Sequence, residues 1–253
     1  MMKKLFSAIA LVAMLASCGG GTKPYTINGT VSIDGIADGD TISLGYSVDG
    51  SEYIPESYAV VKDGKFQFNG EVENCKLYYL VKHATEEPLT MLFLEGGNIT
   101  ADIANDKFSI TGTKSNDLST ELQEALSGPA GEMQEKQLQL YLDTTLTEEQ
   151  RQAIIADLQA TSEKLAGMAK EFINGNIETM AGLFMLIQCA DIFSNEELSA
   201  LLDKVPEENK DTTNNRLFYI LQEIQEQRNN PQDFSDYFKS METDSTATEE
   251  SAK

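Results

Sequence analysis

The feature that most constrains the fold is a change of hydrophobic period near residue 115. Before it, apolar and polar residues alternate in short runs, which is the period of half-buried strands. After it, apolar residues recur at spacings of three and four, which is the period of amphipathic helices. We therefore expect an α+β chain, with an antiparallel β-domain at residues 25–114 and an all-helical domain at residues 115–238.

The β half contains short apolar runs separated by turn residues. Asp63-Gly64 stands between two alternating runs and predicts a hairpin, because both turn positions require a positive φ. Short strands at this close spacing indicate a sandwich or a barrel. The predicted strands are Tyr25–Ile33, Thr41–Tyr46, Ser57–Lys62, Lys65–Phe68, Lys76–Val81, Leu89–Leu94, Ile99–Ile103 and Lys107–Thr111.

The helical half carries its own start and stop signals. We expect the first helix to begin at Asn116, to be capped by Ser115 or Asp117, and to be interrupted at Gly128-Pro129. Asp211 or Thr212 is the expected cap of the last helix. Two stretches have the pattern of a capping box, in which a hydroxyl and a side chain three residues later satisfy backbone N–H groups. They are Thr147–Gln150 and Ser194–Glu197.

The segment Met180–Ile187 is apolar on nearly every side. Its Met180, Phe184 and Met185 predict either core packing or an adaptable groove for a partner. The last residues, 239–253, are mostly Ser, Thr, Glu and Ala, and they predict a disordered acidic tail.

The amino terminus predicts export. Lys3 and Lys4 precede the apolar run Leu5–Leu15, which is too short to cross a bilayer core of ~30 Å and suits a signal peptide at residues 1–17. The following Leu15-Ala16-Ser17-Cys18 resembles the lipobox of bacterial lipoproteins. The alternative is an ordinary secretory signal with a chance cysteine.

The lipobox resemblance implies covalent chemistry at Cys18. It implies cleavage between Ser17 and Cys18, a diacylglycerol on the Cys18 thiol, and an acyl chain such as palmitate on the new amine. The chain would then be anchored to a membrane through this lipid, with residues 18–24 as a flexible tether. Because no acidic cluster directly follows Cys18, we expect a cell-envelope location on the periplasmic face of the outer membrane.

The charge excludes one class of partner. The chain has 19 Lys and Arg residues against 41 Asp and Glu residues, and its net charge is −22. Nucleic-acid phosphates require a basic face, so we expect no nucleic-acid partner. The same charge argues against adhesion to anionic lipid.

Cys75 and Cys189 are the cysteines left after lipidation of Cys18. Disulfides persist outside the cytoplasm, so a bond between them is possible and would link the β half to the helical half. The alternative is two buried free thiols. The sequence contains no Cys-x-x-Cys motif.

An ordered set of motifs in the β half resembles a known family. The set is Tyr25-x-Ile27-x-Gly29-x-Val31, Val61-Lys62-Asp63-Gly64-Lys65-Phe66-x-Phe68-x-Gly70, Phe93-Leu94-Glu95-Gly96-Gly97-Asn98-Ile99 and Thr111-Gly112-Thr113-x-x-Asn116-Asp117. From Tyr25 to Leu126 the chain resembles the domain of unknown function at the N-terminus of thioredoxin-like lipoproteins of Gram-negative bacteria. The resemblance implies the fold of the β half, the lipid anchor and the envelope location.

The same resemblance supplies no catalytic residue. No thioredoxin-like sequence follows, since the chain has no Trp and no Cys-x-x-Cys, so the thiol–disulfide exchange of those lipoproteins is transferred to no residue here.

Other candidate chemistry is weak. Asp34, Asp38 and Asp40 suggest a calcium loop, but an EF-hand needs an oxygen ligand at its third position, where Ile36 stands. A looser calcium site or a simple turn are the alternatives. His83 is the one histidine and is expected on the surface at a strand end. We therefore expect no metal site, no cofactor and no catalytic residue.

The sequence favours a non-catalytic envelope lipoprotein that binds or positions an unidentified envelope protein or small ligand. One alternative is an accessory role in thiol–disulfide exchange, in which Cys75 or Cys189 works with a separate thioredoxin-like protein. A structural lipoprotein without a specific ligand is the third option.

Overall fold

A computed structural model describes residues 22–48, 52–105, 108–211 and 215–230. The predicted signal peptide, Cys18, most of the predicted tether and the predicted tail lie outside the described residues. Within them, the chain consists of a β-sandwich followed by a group of helices. The predicted α+β class is confirmed.

Two four-stranded sheets form the sandwich, with strand orders β4-β1-β7-β8 and β3-β2-β5-β6. All eight predicted strands are present. Lys23 and Pro24, which were assigned to the predicted tether, belong to β1. The strands are β1 Lys23–Ser32, β2 Thr41–Val48, β3 Glu52–Val60, β4 Lys65–Val72, β5 Lys76–Lys82, β6 Glu87–Leu94, β7 Gly97–Ala104 and β8 Phe108–Thr111.

The first sheet is mixed, so the expectation of an antiparallel domain was wrong in one respect. β1 pairs antiparallel with β4 but parallel with β7, where Ile27 lies opposite Ile99. A parallel pair needs a long crossover connection, and here that connection includes β4 and the whole second sheet. The long separation between β1 and β7 left no local signal of this pairing in the sequence.

The turn at Asp63-Gly64 is confirmed, with φ values of 52° and 67°. It is a corner rather than an ordinary hairpin, because β3 and β4 belong to different sheets. Across the turn, Lys62, which follows β3, forms an isolated antiparallel bridge with Lys65. The Asp38 carboxylate accepts hydrogen bonds from the backbone N–H groups of Asp63 (2.8 Å) and Gly64 (2.9 Å). The turn thus connects the two sheets along one side of the sandwich.

The sandwich core lies between the two sheets, where alternate residues of each strand point inward. Its fully buried members include Ile27, Ile42, Leu44, Leu80, Leu92 and Ile99. In the first sheet, polar residues at the intervening positions face solvent, which explains the period of two in its strands.

In the described part of the chain, five α-helices follow the sandwich. α1 and α2 form a helical hairpin joined by residues 143–147, and α3 is buried among the others. The helices are α1 Lys114–Leu142, α2 Glu148–Asn176, α3 Met180–Gln188, α4 Asn195–Asp203 and α5 Arg216–Asn229.

Both predicted capping boxes are present, at the starts of α2 and α4. The other two capping predictions were wrong. α1 is preceded by Thr113, which makes no side-chain cap, because Ser115 and Asp117 lie inside the helix. α5 is capped by Asn215, whose side chain accepts from the Phe218 N–H.

The predicted interruption at Gly128-Pro129 was also wrong, because α1 continues through it to Leu142. Pro129 has no N–H and removes one backbone hydrogen bond from the helix. α1 pairs with α2 on both sides of this position, since Leu122, Leu126 and Met133 are all half-buried. We attribute the continuity of α1 to this paired packing.

A second apolar core surrounds α3. Leu183 and Leu186 are fully buried, Met180 is 4% exposed, and Phe184 and Met185 are half-buried against the same cluster. These contacts support core packing for the methionines rather than an adaptable groove. The cluster includes Phe93 of β6, with Leu77 of β5 packed against it, so the helices cover the outer face of the second sheet.

The two halves are connected by polar contacts that we call the joint, formed by Phe93, Glu95, Ser115 and Asn116. Asn116 is 1% exposed. Its Oδ1 accepts from the Phe93 N–H (2.9 Å), and its Nδ2 donates to the Phe93 carbonyl (2.8 Å). The Glu95 carboxylate accepts from the Ser115 N–H (2.7 Å) and hydroxyl (2.8 Å). The joint therefore fixes the first turn of α1 to the end of β6.

We predict that Asn116→Ala lowers the free energy of unfolding by about 2–3 kcal/mol, because it leaves the buried N–H and C=O of Phe93 without partners. Urea denaturation measures the change. Asn69→Ala is the matched control, since Asn69 makes its hydrogen bonds on the exposed face of the sandwich. A loss for Asn116→Ala no larger than that of the control would contradict the role of the joint.

Candidate functional site

The residues with the strongest sequence signal, Ser17 and Cys18, lie outside the described residues. Lipidation at Cys18 and cleavage before it stay predictions. Among the residues that the structure describes, no helix is both long and apolar enough to cross a bilayer.

Cys75 and Cys189 are free thiols in the structure. Both are half-buried and pack against the helical core. Burial, followed by the negative charge of Glu95, raises the pKa of Cys75, whose Sγ lies 3.8 Å from a Glu95 oxygen. Burial and the nearby Asp191 raise the pKa of Cys189. Neither site favours the thiolate that disulfide exchange requires.

The three aspartates of the calcium alternative take part in turns. Asp38 binds the corner at Asp63-Gly64, and these backbone hydrogen bonds lower the pKa of its carboxyl. Asp40 accepts from the Ala37 N–H at 2.9 Å. No cluster of three or more His, Cys, Asp or Glu side chains suited to a metal ion occurs in the described ranges.

His83 lies in the exposed turn after β5. Its ring packs edge-on against the ring of Tyr58, with 4.9 Å between the ring centroids. The contact is a surface aromatic pair.

The structure does contain a cleft between the edges of the two sheets, beneath the first turns of α1. β6 and β8 are the edge strands on this side of the sandwich, opposite the side of the Asp63-Gly64 corner. The cleft has a volume of about 310 Å³, and no charged side chain lines it. Its lining residues are Leu89, Thr90, Met91, Phe93, Phe108, Ile110, Asn116, Ser119, Thr120 and Gln123.

One face of α1 supplies the polar wall of the cleft. Asn116 binds the Phe93 peptide groups of β6, as described above. One turn later, the Thr120 hydroxyl donates to the Ile110 carbonyl (2.7 Å) and accepts from the Ile110 N–H (3.3 Å) of β8. Each side chain thus provides a donor and an acceptor to a strand edge, as a neighbouring strand would. Gln123 lines the cleft one further turn along α1.

The α1–α2 hairpin beyond the cleft forms a second feature, which we call the arm, residues 121–165. No residue of the arm is buried. α1 has 29 residues and is therefore about 43 Å long at 1.5 Å per residue. The two helices are held together by half-buried residues such as Leu126, Ile154 and Leu158.

Large apolar side chains are exposed at the far end of the arm, and we call them the tip: Leu138, Tyr141, Leu142 and Ile155. Tyr141 is 85% exposed, and the other three are between 54% and 62% exposed. A soluble surface seldom groups several large exposed apolar residues without an interaction to cover them.

Acidic residues flank the tip in the sequence. Glu135, Asp143, Glu148 and Glu149 are close to it in the sequence. The neighbouring cations already have partners: Lys136 pairs with Asp157, and Arg151 donates to the carbonyls of Leu140 and Asp143. The end of the arm is therefore apolar with an acidic border.

Comparison with protein families matches residues 25–119 to a family described as Domain of unknown function (DUF4369). The match agrees with the domain of unknown function predicted from the sequence. It spans most of the sandwich and the start of α1, including all residues of the joint. A search of curated proteins found no match.

The cleft and the tip were not predicted. The cleft depends on which strands are at the edges of each sheet, and that order is not encoded in any local pattern. The sequence did contain a signal for the tip. Leu138, Tyr141 and Leu142 are spaced by three and one, which places them on one face of α1, apart from the half-buried residues that pack against α2.

We predict that both thiols react with Ellman's reagent at least about tenfold more slowly in the native chain than in guanidinium, because burial disfavours the thiolate. The measurement uses the chain carrying Cys18→Ser, with Cys75→Ala and Cys189→Ala to assign each rate. A thiol that reacts in native buffer as fast as in guanidinium would contradict the burial argument for that residue.

Proposed function

We propose that this chain is a lipid-anchored lipoprotein of the bacterial envelope that binds or positions another envelope protein without catalysing a reaction. The observation that carries the proposal is the arm, which places an apolar tip away from both cores of the molecule. Paired helical segments with no buried residue contribute little to a core, and an exposed apolar end suits an interaction surface.

The anchor in this proposal is Cys18, supported by the lipobox-like pattern that precedes it. β1 begins at Lys23, so few residues separate Cys18 from the sandwich. A fully extended chain spans at most ~3.6 Å per residue, and five residues therefore reach about 18 Å. The sandwich would lie close to the membrane, which we take to be the outer membrane on its periplasmic side, and the arm would extend from it.

The partner is expected to present an apolar surface bordered by basic groups. The acidic border of the tip repels anionic lipid and other acidic surfaces, whereas Lys and Arg on a partner would complement it. The net charge of −22 extends the same preference over the whole chain. Complementary charge of this kind accelerates association and weakens with added salt.

Two observations disfavour the alternative of an accessory in thiol–disulfide exchange. The pKa of each thiol is raised by burial and a neighbouring carboxylate. Cys75 is also in contact with Glu95, which is engaged with the start of α1. A thiol that exchanges with a partner needs access and thiolate character together.

A photo-crosslinking amino acid at position 141 of the full chain, in cells that export it, tests the proposal. We expect a discrete adduct that diminishes with Leu138→Ser and Leu142→Ser and with rising salt, because apolar contact and charge both contribute. Position 58 is the matched control, since Tyr58 is 54% exposed on the sandwich. Labelled palmitate in the same cells reports the anchor, and Cys18→Ser should remove the label.

The proposal fails in its binding part if position 141 gives no adduct or the same adducts as position 58. It fails in its anchoring part if the chain takes up no palmitate. The two results are independent of each other.

A further inference from the structure

The outer edge of β6 directs backbone groups toward the cleft. In an antiparallel pair, successive residues direct their N–H and C=O groups alternately toward and away from the partner strand. Phe93, opposite Leu77 of β5, directs its groups away from β5 and toward Asn116. Met91 is two residues earlier and lies opposite Tyr79, so its N–H and C=O also point away from β5 and toward the cleft. The Met91 carbonyl accepts a long hydrogen bond (3.4 Å) from the hydroxyl of Thr90, a flexible side chain that an added strand can displace.

The contact at Phe93 shows how a side chain can satisfy the backbone groups at the edge of β6. The Asn116 side chain gives Phe93 one acceptor and one donor, which is what a peptide group of an adjacent strand would give. Asn116 therefore occupies the position where an added strand would end. From there the open edge continues along β6 toward Met91 and Glu87.

The other walls of the cleft can contact the side chains and the second hydrogen-bonding edge of a bound extended peptide. Met91, Phe108 and Ile110 supply apolar surface for side chains, and Phe108 is 39% exposed. Ser119 and Gln123 of α1 supply hydroxyl and amide groups. A strand has two hydrogen-bonding edges, so one edge can pair with β6 while the other meets these polar side chains.

Charge and size restrict the ligand further. The lining residues carry no charge, so a charged side chain would lose its hydration in the cleft without gaining an ionic partner. The acidic surface of the chain also repels peptides with acidic side chains. A volume of about 310 Å³ is at the low end for ligand pockets and holds a short segment.

We infer that the cleft between β6 and β8 binds a short, extended, uncharged peptide segment, which adds to the edge of β6 at Met91. This site is separate from the tip of the arm and does not depend on the envelope function proposed above.

The test is titration of the full chain carrying Cys18→Ser with the blocked peptide acetyl-Val-Ala-Val-Ala-Val-amide, followed by NMR of the backbone amides. We expect saturable shifts at Met91, Ser119 and Gln123. The same peptide N-methylated at every residue should bind at least about tenfold more weakly, because it lacks the donors that pair with β6.

Ser119→Trp should fill the cleft and abolish the shifts. Ser127→Trp is the matched control, since Ser127 is an exposed residue of α1 outside the cleft. Tyr141→Ser at the tip should leave peptide binding unchanged.

Absence of saturable shifts at the cleft amides up to millimolar peptide would overturn the inference. Equal binding of the N-methylated peptide would overturn the pairing with β6. Unchanged binding by Ser119→Trp would overturn the assignment of the site to this cleft.

Discussion

The hydrogen bonds between the Asn116 side chain and the Phe93 backbone are the contacts on which the rest of the structure depends. Phe93 is at the boundary of the two cores, because its strand belongs to the sandwich and its side chain belongs to the helical cluster. Asn116 fixes α1 to that strand. The direction of the α1–α2 hairpin, and hence the positions of the cleft and the tip, follow from this attachment.

The motifs that the chain shares with a domain of unknown function have a structural explanation here. Glu95 and Asn116 make the joint, and two glycines shape the chain on either side of it. Gly96 and Gly112 have φ values of 84° and 99°, and a Cβ on Gly112 would lie 2.3 Å from the Asn98 carbonyl oxygen. The pattern Glu-Gly-Gly followed by Thr-Gly-Thr therefore specifies how the sandwich ends and the first helix begins. It describes the attachment point between the two halves.

Local patterns predicted the parts of the fold that depend on local physics. The strands follow from alternation, the corner at Asp63-Gly64 from the need for positive φ, and the starts of α2 and α4 from capping boxes. The parallel pairing of β1 with β7 was not predictable in this way, because five strands lie between the two in the chain and local patterns do not fix their order. The continuity of α1 through Pro129 was missed because packing against α2 outweighs the local preference of proline.

The candidate sites also divide into those that a local sequence pattern predicts and those that depend on the whole fold. The lipobox-like pattern at Cys18 is local and was visible at once, whereas the cleft requires the strand order of both sheets and the placement of α1. The Asn116 and Thr120 side chains look like ordinary polar residues at helical spacing. Their role as substitutes for a neighbouring strand becomes visible when both sheet edges are known.

Native-state hydrogen exchange of the described amides tests most directly whether the joint makes the two cores one cooperative unit. We expect the Phe93 amide, the slowest amides of the sandwich and those of α3 to exchange with the same free energy of opening, and Asn116→Ala to separate the two groups. If α3 already opens in the wild-type chain with a clearly lower free energy than the sandwich, and Asn116→Ala changes neither, the joint does not couple them.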